Sequence, residues 1–321
     1  MDQTTLLLRL TDRFGKPEVA RLIGKCTSMS TSMIYRTLSG ERKLTFDEGE
    51  QLISFLQHHN LLPPDLATGH RWKYSLNIAK DDLPSQFIND LENSMMQLDV
   101  KNAKLWLTSY EIPVFYYMQF PELMAFKLFF WSKTIWSPIY KASEVFITDL
   151  WLTAERLSSI QSIYNQYCSI KSVEYLNTNM CINTARQLNY ARDMGWFKNI
   201  KKYLDLNSLV YELLESLKEK GEKHVKKSPF DSTIKNKVII KENEVYFTNN
   251  IYLIESNSQK RIFAVLDNPN HLSTSDESMV NRIDQWFSDL DTHSIAISHG
   301  SDLDKKRFFE QLELNFENLT G

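Results

Sequence analysis

The chain has 321 residues, 42% hydrophobic and 12% aromatic, enough to build more than one core and too apolar for a disordered tail. A formal net charge of −3 gives no global positive field, so any nucleic-acid contact has to be local and nothing draws the chain to an anionic membrane. Three cysteines, Cys26, Cys168 and Cys181, without CxxC spacing argue against a disulfide framework or structural zinc and for a reducing cytoplasm.

From the N-terminus, Met1-Asp2-Gln3-Thr4 lacks the basic stretch of a signal peptide. Leu6, Leu7, Leu10 and Phe14 furnish a first helix. Pro17 suits the first turn of a second, whose buried side is Val19, Ala20, Leu22 and Ile23 and which Gly24 is expected to end. A polar connection from Lys25 to Ser30 leads into a third helix, Thr31 to Ser39. There Ile34 and Leu38, one turn apart, are expected to face the core, leaving Ser32, Tyr35, Arg36 and Ser39 outward. Gly40 stops that helix, and Thr45-Phe46-Asp47-Glu48 reads as the capping box of a fourth that turns Leu52, Ile53 and Leu56 inward. Leu61-Leu62-Pro63-Pro64-Asp65 closes the segment, because paired prolines bar a continuous helix.

Residues 1–62 thus form a small helical domain. It resembles the lambda-repressor-like and Cro-like helix-turn-helix family through Val19-Ala20-Arg21-Leu22-Ile23-Gly24, Ile34-Tyr35-Arg36-Thr37-Leu38-Ser39-Gly40, and Leu44-Thr45 with Asp47-Glu48. The connection from Gly24 to Thr31 is longer than the family's usual turn. The resemblance implies double-stranded DNA as partner and a homodimer that spans two half-sites. Ser32, Tyr35 and Arg36 become the candidates for base edges, with Arg36 able to grip guanine in a bidentate pair. Lys25, Ser28, Ser30, Arg42 and Lys43 become the candidates for phosphate.

Residues 70–227 read as a mainly helical region for dimerisation or effector binding. Phe87, Leu91, Met95 and Leu98 keep helical spacing, as do Leu157, Ile160, Ile163, Tyr164 and Tyr167, and later Val210, Leu213, Leu214 and Leu217. Gly195 and Gly221 fall where C-terminal caps are expected, and a short strand is expected near Ile112-Pro113. The aromatics from Phe115 to Trp136 suit a core, a dimer face or a ligand pocket, and Phe126 to Trp136 is the expected source of a large interface. Val114 to Tyr140 is apolar but interrupted by Pro121, Glu122, Lys127, Lys133 and Pro138, so it is read as buried protein and not as a membrane span. Glu215 to Lys227 reads as a fraying helix end and charged linker.

Residues 230–321 read as an α+β region. Val238-Ile239-Ile240, Val245-Tyr246-Phe247, Ile251 to Ile254 and Ile262 to Leu266 form an expected antiparallel meander. A helix capped by Ser275, a strand at Ser294 to Ser298 and a helix capped by Ser301 follow. The expected fold is therefore multidomain and mainly α. The seven histidines have no metal-ligand spacing, and no catalytic motif or cofactor fingerprint stands out; no metal, cofactor or enzyme activity is expected. The reading is a cytoplasmic transcription regulator with a sensor or dimerisation region, its small-molecule effector unknown. A scaffold whose helix-turn-helix does not read DNA, or an enzyme of unknown chemistry in the C-terminal region, are the alternatives.

Overall fold

In a computed structural model the described residues are 3–58, 61, 73–74, 82–245 and 249–320, and the chain divides into two units, Met1–Arg71 and Trp72–Gly321. His59, the Pro63–Pro64 break, His70 and the expected strand residues Tyr246 and Phe247 lie outside the described residues.

The first unit holds α1 (Gln3–Phe14), α2 (Lys16–Cys26), α3 (Thr31–Leu38) and α4 (Phe46–His58). Leu6, Leu7 and Leu10 of α1 meet Val19, Leu22 and Ile23 of α2, Ile34 of α3, and Leu52 and Leu56 of α4 in one core. Gly15, with φ of 80°, turns the chain between α1 and α2 in the left-handed region that glycine adopts without a steric penalty.

The second unit runs β1 (Lys73–Tyr74), α5 (Leu83–Met96), β2 (Lys104–Ser109), α6 (Val114–Met118), α7 (Pro121–Lys133), α8 (Thr148–Trp151) and α9 (Ala154–Ser169). It continues with β3 (Lys171–Leu176), α10 (Ile182–Asp193), α11 (Ile200–Lys223), β4 (Val225–Lys227), β5 (Lys235–Glu242), β6 (Ile251–Ser256), β7 (Gln259–Asp267) and β8 (Asn270–Thr274). It ends with α12 (Glu277–Thr292), β9 (Ile295–Ala296) and α13 (Asp302–Thr320).

These strands make one mixed sheet in the order β1-β8-β7-β6-β2-β3-β5-β4, with β9 also on β5. Its centre is parallel, Leu105 of β2 opposite Ser172 of β3, and Ser172 opposite Val238 of β5. Parallel neighbours need long crossovers, which the helices between β2 and β3 and between β3 and β5 supply. On one face Leu105, Leu107, Leu176, Val238 and Ile240 pack into the main helical core; on the other, Tyr175, Leu253 and Ile262 sit with Val280, Phe287 and Leu290 of α12.

This sheet corrects the expected fold class. The helical middle and the C-terminal meander are not separate folds, because β2 and β3 of the middle region lie at the sheet centre, hydrogen-bonded to β6 and β5. β6, β7 and β8 are an antiparallel meander, but one attached to a parallel core, so the second unit is mixed α/β rather than mainly α. β3 escapes a hydropathy reading because its inward face is Ser172 and Glu174 as well as Leu176. β2 lies N-terminal to the Ile112-Pro113 step where a strand was expected.

Further expectations change as well. Glu215 to Lys227 is no linker: α11 continues to Lys223, and Lys220 and Lys226 are buried. The left-handed residue that ends α11 is His224 (φ 56°), while Gly221 lies inside the helix against the Phe309 ring. The cap of α12 is Asp276, accepting from Met279 N, one residue past the expected Ser275. Of the aromatic run, Phe126, Phe129, Trp131 and Trp136 are interior, so they pack the unit's own core and present no dimer face. α7 is buried nearly all round, as an apolar helix without an amphipathic stripe should be. Among the described residues no helix is long and apolar enough to cross a membrane.

Candidate nucleic-acid interface

α2 does not stop at Gly24. It continues to Cys26, where Thr27 N and Thr27 Oγ1 both donate to Ile23 O at 3.0 and 2.8 Å. The connection to α3 is therefore Thr27 to Ser30, four residues, and shorter than the sequence suggested. Met29 anchors it by burying its side chain in the unit's core. Gly24 lies inside α2, exposed, where a Cβ would make only ordinary contact with Ile34 Cδ1 at 3.5 Å.

Ser30 begins α3, its hydroxyl accepting from Met33 N at 3.4 Å. Ile34 is buried, but its partner on the inner face is Thr37, 1% exposed, whose hydroxyl donates to Met33 O; Leu38 is only half-buried. The opposite side of α3 carries Ser32, Tyr35 and Arg36, all exposed. One helix thus offers a hydroxyl, a phenol and a guanidinium to solvent on a single face. The Arg36 guanidinium lies 3.6 Å from the Glu41 carboxylate, an exposed pair of little energetic weight.

The loop after α3 folds back on it, Arg42 N donating to Arg36 O at 3.1 Å. Arg42 itself is engaged within the unit. Its guanidinium grips both Glu48 oxygens at 2.8 and 2.9 Å and reaches Thr37 Oγ1 at 3.4 Å. Glu48 also closes the capping box of α4, accepting from Thr45 N at 2.9 Å while Glu48 N donates to Thr45 Oγ1 at 3.3 Å. The Arg42 hydrogen bonds, then the Thr45 amide, hold the Glu48 carboxyl below its ordinary range. Gln3 ties the same loop to α1, accepting from Leu44 N at 2.7 Å. Lys43 projects from this fixed loop, exposed, and Lys25 and Ser28 are exposed beside the turn. The predicted base-edge and phosphate residues therefore occupy the α2–α3 turn, the outer side of α3 and the loop after it, with Arg42 turned inward.

The second unit carries a polar constellation that sequence reasoning missed. Glu174 on β3 accepts from Tyr167 OH at 2.7 Å, from Ser172 Oγ at 2.6 Å, and from Tyr116 OH. The Lys226 ammonium donates to Ser172 Oγ at 2.8 Å, stands 3.7 Å from Glu174, and lies 3.7 Å over the Tyr167 ring. Burial first, and Glu174 second, push the Tyr116 and Tyr167 phenols far above their usual range; burial pushes Lys226 down to about 8. Glu174 and Lys226 are both fully buried and hydrogen-bonded within the cluster, so it clamps α6, α9, β3 and β4 together. The available signal was a glutamate inside an apolar alternation (Val173, Tyr175), with a lysine, Lys226, just beyond the end of a later amphipathic helix.

No family model, no curated protein and no solved structure matches this chain.

Proposed function

We propose that this chain is a cytoplasmic, DNA-binding transcription regulator that presents the outer side of α3 to the major groove of double-stranded DNA, as a homodimer. The observation that carries the reading is the division of α3. Ile34 and Thr37 anchor it, while Ser32, Tyr35 and Arg36 stand exposed one four-residue turn after α2. Arg36 reads a base, and Lys25, Ser28 and Lys43 flank it toward phosphates. Ser30 holds the start of α3, and Arg42 positions the loop that carries Lys43. The first unit is nearly charge-balanced in sequence, so two copies on one site are needed for useful affinity at physiological salt.

The test is selection of bound fragments from genomic DNA by the purified chain, followed by salt-titrated gel shifts. Arg36→Ala is expected to lose about 1–3 kcal/mol on the selected site and to relax preference at one base position. Lys43→Ala is expected to weaken binding to all sequences alike and to flatten the dependence on salt by about one phosphate contact. A chain that enriches no sequence, and whose weak binding neither variant alters, is a protein-interaction scaffold instead. The engagement of Arg42 with Glu48 is what gives that second reading its footing.

A further inference from the structure

The second unit contains a cleft of about 850 Å³ between α5 and the antiparallel part of the sheet. That size suits a drug-like small molecule. The α5 wall is one helical stripe, with Gln86, Phe87, Asp90, Leu91 and Ser94 all lining the cleft while Ile88 turns the other way into the core. The sheet wall is one face of β6 and β7. Tyr252 pairs with Phe263 across the strands and Ile254 with Arg261, and all four side chains line the cleft. Phe115 and Trp136 complete an aromatic lining.

Among the described residues several polar groups lining the cleft have no partner: Glu277 and Asn281 at the start of α12, and two that sit along the α5–β7 groove. Arg261 is exposed, and among the described residues its guanidinium has neither an ion pair nor a hydrogen bond; nearby Lys260 is held by Asp284 at 2.7 Å. The side-chain oxygen of Gln86 is buried and, among the described residues, accepts nothing. They mark opposite ends. The end of α5 leads to Asp99, whose amide donates to Ser256 Oγ at 2.9 Å, close in the strand register to Arg261. The start of α5 lies by Trp136, which packs on Phe87 and donates to Asn270 at 3.3 Å. Acids also line the cleft, and Asp90 acts electrostatically on His271, which pairs with Val265 at the Gln86 end. From Arg261 to Val265 along β7 is about 13 Å at the usual rise per residue. The positive end is thus separated from the Asp90 end by roughly the length of two fused rings and a substituent.

We infer that this cleft binds an aromatic-bodied monoanion, its carboxylate or sulfonate on Arg261, its rings between Leu91 and the Tyr252–Phe263 pair, and a hydrogen-bond donor reaching Gln86. The site stands on the second unit alone and does not depend on whether the first unit reads DNA. A guanidinium without a partner among the described residues, at one end of an aromatic-lined cleft, favours an anion, since charge-assisted hydrogen bonds are the strong ones. The aromatic walls favour flat rings through offset and edge-to-face contacts.

The probes are the fluorophore 1-anilinonaphthalene-8-sulfonate and its uncharged parent, N-phenyl-1-naphthylamine, titrated into the full chain. The sulfonate is expected to bind saturably, at one site per chain and more tightly than the parent. Arg261→Gln, at an exposed position that leaves the fold alone, is expected to weaken the sulfonate about tenfold and to leave the parent unchanged. Leu91→Trp, checked for folding by circular dichroism, fills the cleft and is expected to abolish both. The inference is overturned if the sulfonate binds no better than the parent, or if Arg261→Gln changes its affinity less than twofold. Retention of both probes by folded Leu91→Trp also overturns it; should that variant not fold, the Arg261 comparison decides alone.

Discussion

Replacing Lys127 with methionine is expected to stabilise the second unit at neutral pH and to lose that benefit at high pH. Lys127 is fully buried on α7, donating to the Gln187 side-chain oxygen and lying 4.9 Å from the Tyr117 ring centre and 5.4 Å from that of Trp131. Burial holds its ammonium down to about 8 from the ordinary 10.5, with Glu111 pulling weakly the other way. That gap corresponds to about 3 kcal/mol against the charged amine in the folded chain. Below pH 8 both folded and unfolded chains carry the proton, and the folded state bears the whole cost. Between pH 8 and 10.5 the folded chain has released a proton that the unfolded chain still holds, so stability rises with pH; above 10.5 the cost is gone. Methionine keeps most of the volume without the charge, and half-buried Gln187 can turn to water. The gain should be about 2–3 kcal/mol at pH 7 and close to zero near pH 10.5. Urea unfolding followed by tryptophan fluorescence reads this unit alone, because every tryptophan from Trp72 to Trp286 belongs to it. Buried tyrosines such as Tyr117, held protonated by burial, lower the stability of both proteins alike above pH 10, so the difference between them is the quantity to follow. A variant less stable than wild type at pH 7, or a gain equal at pH 7 and 10.5, would show that burial does not govern this amine.

Gly221→Ala should destabilise the second unit by about 1–2 kcal/mol despite alanine's better helix propensity. The new Cβ would stand 2.8 Å from Phe309 Cζ and 3.3 Å from Cε2, and Phe309→Leu in the same chain should restore most of the loss in the same melts. Gly49→Ala in α4, where a Cβ meets nothing within 4 Å, should instead raise the first unit's stability by up to about 1 kcal/mol in thermal circular dichroism. Ile34→Ala should cost the first unit about 2–5 kcal/mol and expose it to protease while tryptophan melts stay unchanged; Leu38→Ala, at a half-buried site, should cost less.

The sequence was legible where apolar period and local chemistry agreed. Val238 to Ile240, Ile251 to Ile254 and Ile262 to Leu266 became strands because β-branched runs between turn residues have few other conformations to adopt. Ser301 caps α13, its hydroxyl accepting from Asp304 N at 3.2 Å, as a serine before an amphipathic stretch should. What hid the sheet centre was polarity on its inner face. A strand carrying Ser172 and Glu174 inward is stable only with Tyr116, Tyr167 and Lys226 brought to it from distant segments, and no local window contains those partners. The lysines of the Glu215 to Lys227 run looked solvated for the same reason. The α5 stripe is apolar in sequence, but spacing alone cannot say whether a stripe meets a core or a cleft; here Phe87 and Leu91 do some of each.

At the α3 surface the residues facing outward follow from helical period, and Ser32, Tyr35 and Arg36 are where the period places them. Arg42 shows the limit of that reasoning. Beside Lys43 in sequence it looks like a second cation for phosphate, yet a bidentate partner six residues on, Glu48, holds it inside the unit. A glutamate at the third helical position after threonine signals a capping box; that the same carboxylate also takes an arginine depends on the loop folding back, through the Arg42 N to Arg36 O bond. The consequence is a division of labour between adjacent cations: Arg42 sets the loop against α3 and α4, and Lys43 is the one left to meet a polyanion. An exposed lysine on a loop fixed at both ends loses less conformational entropy on binding than one on a free loop. On the proposed reading, this is how a nearly charge-balanced unit would hold DNA with few contacts, two copies acting together.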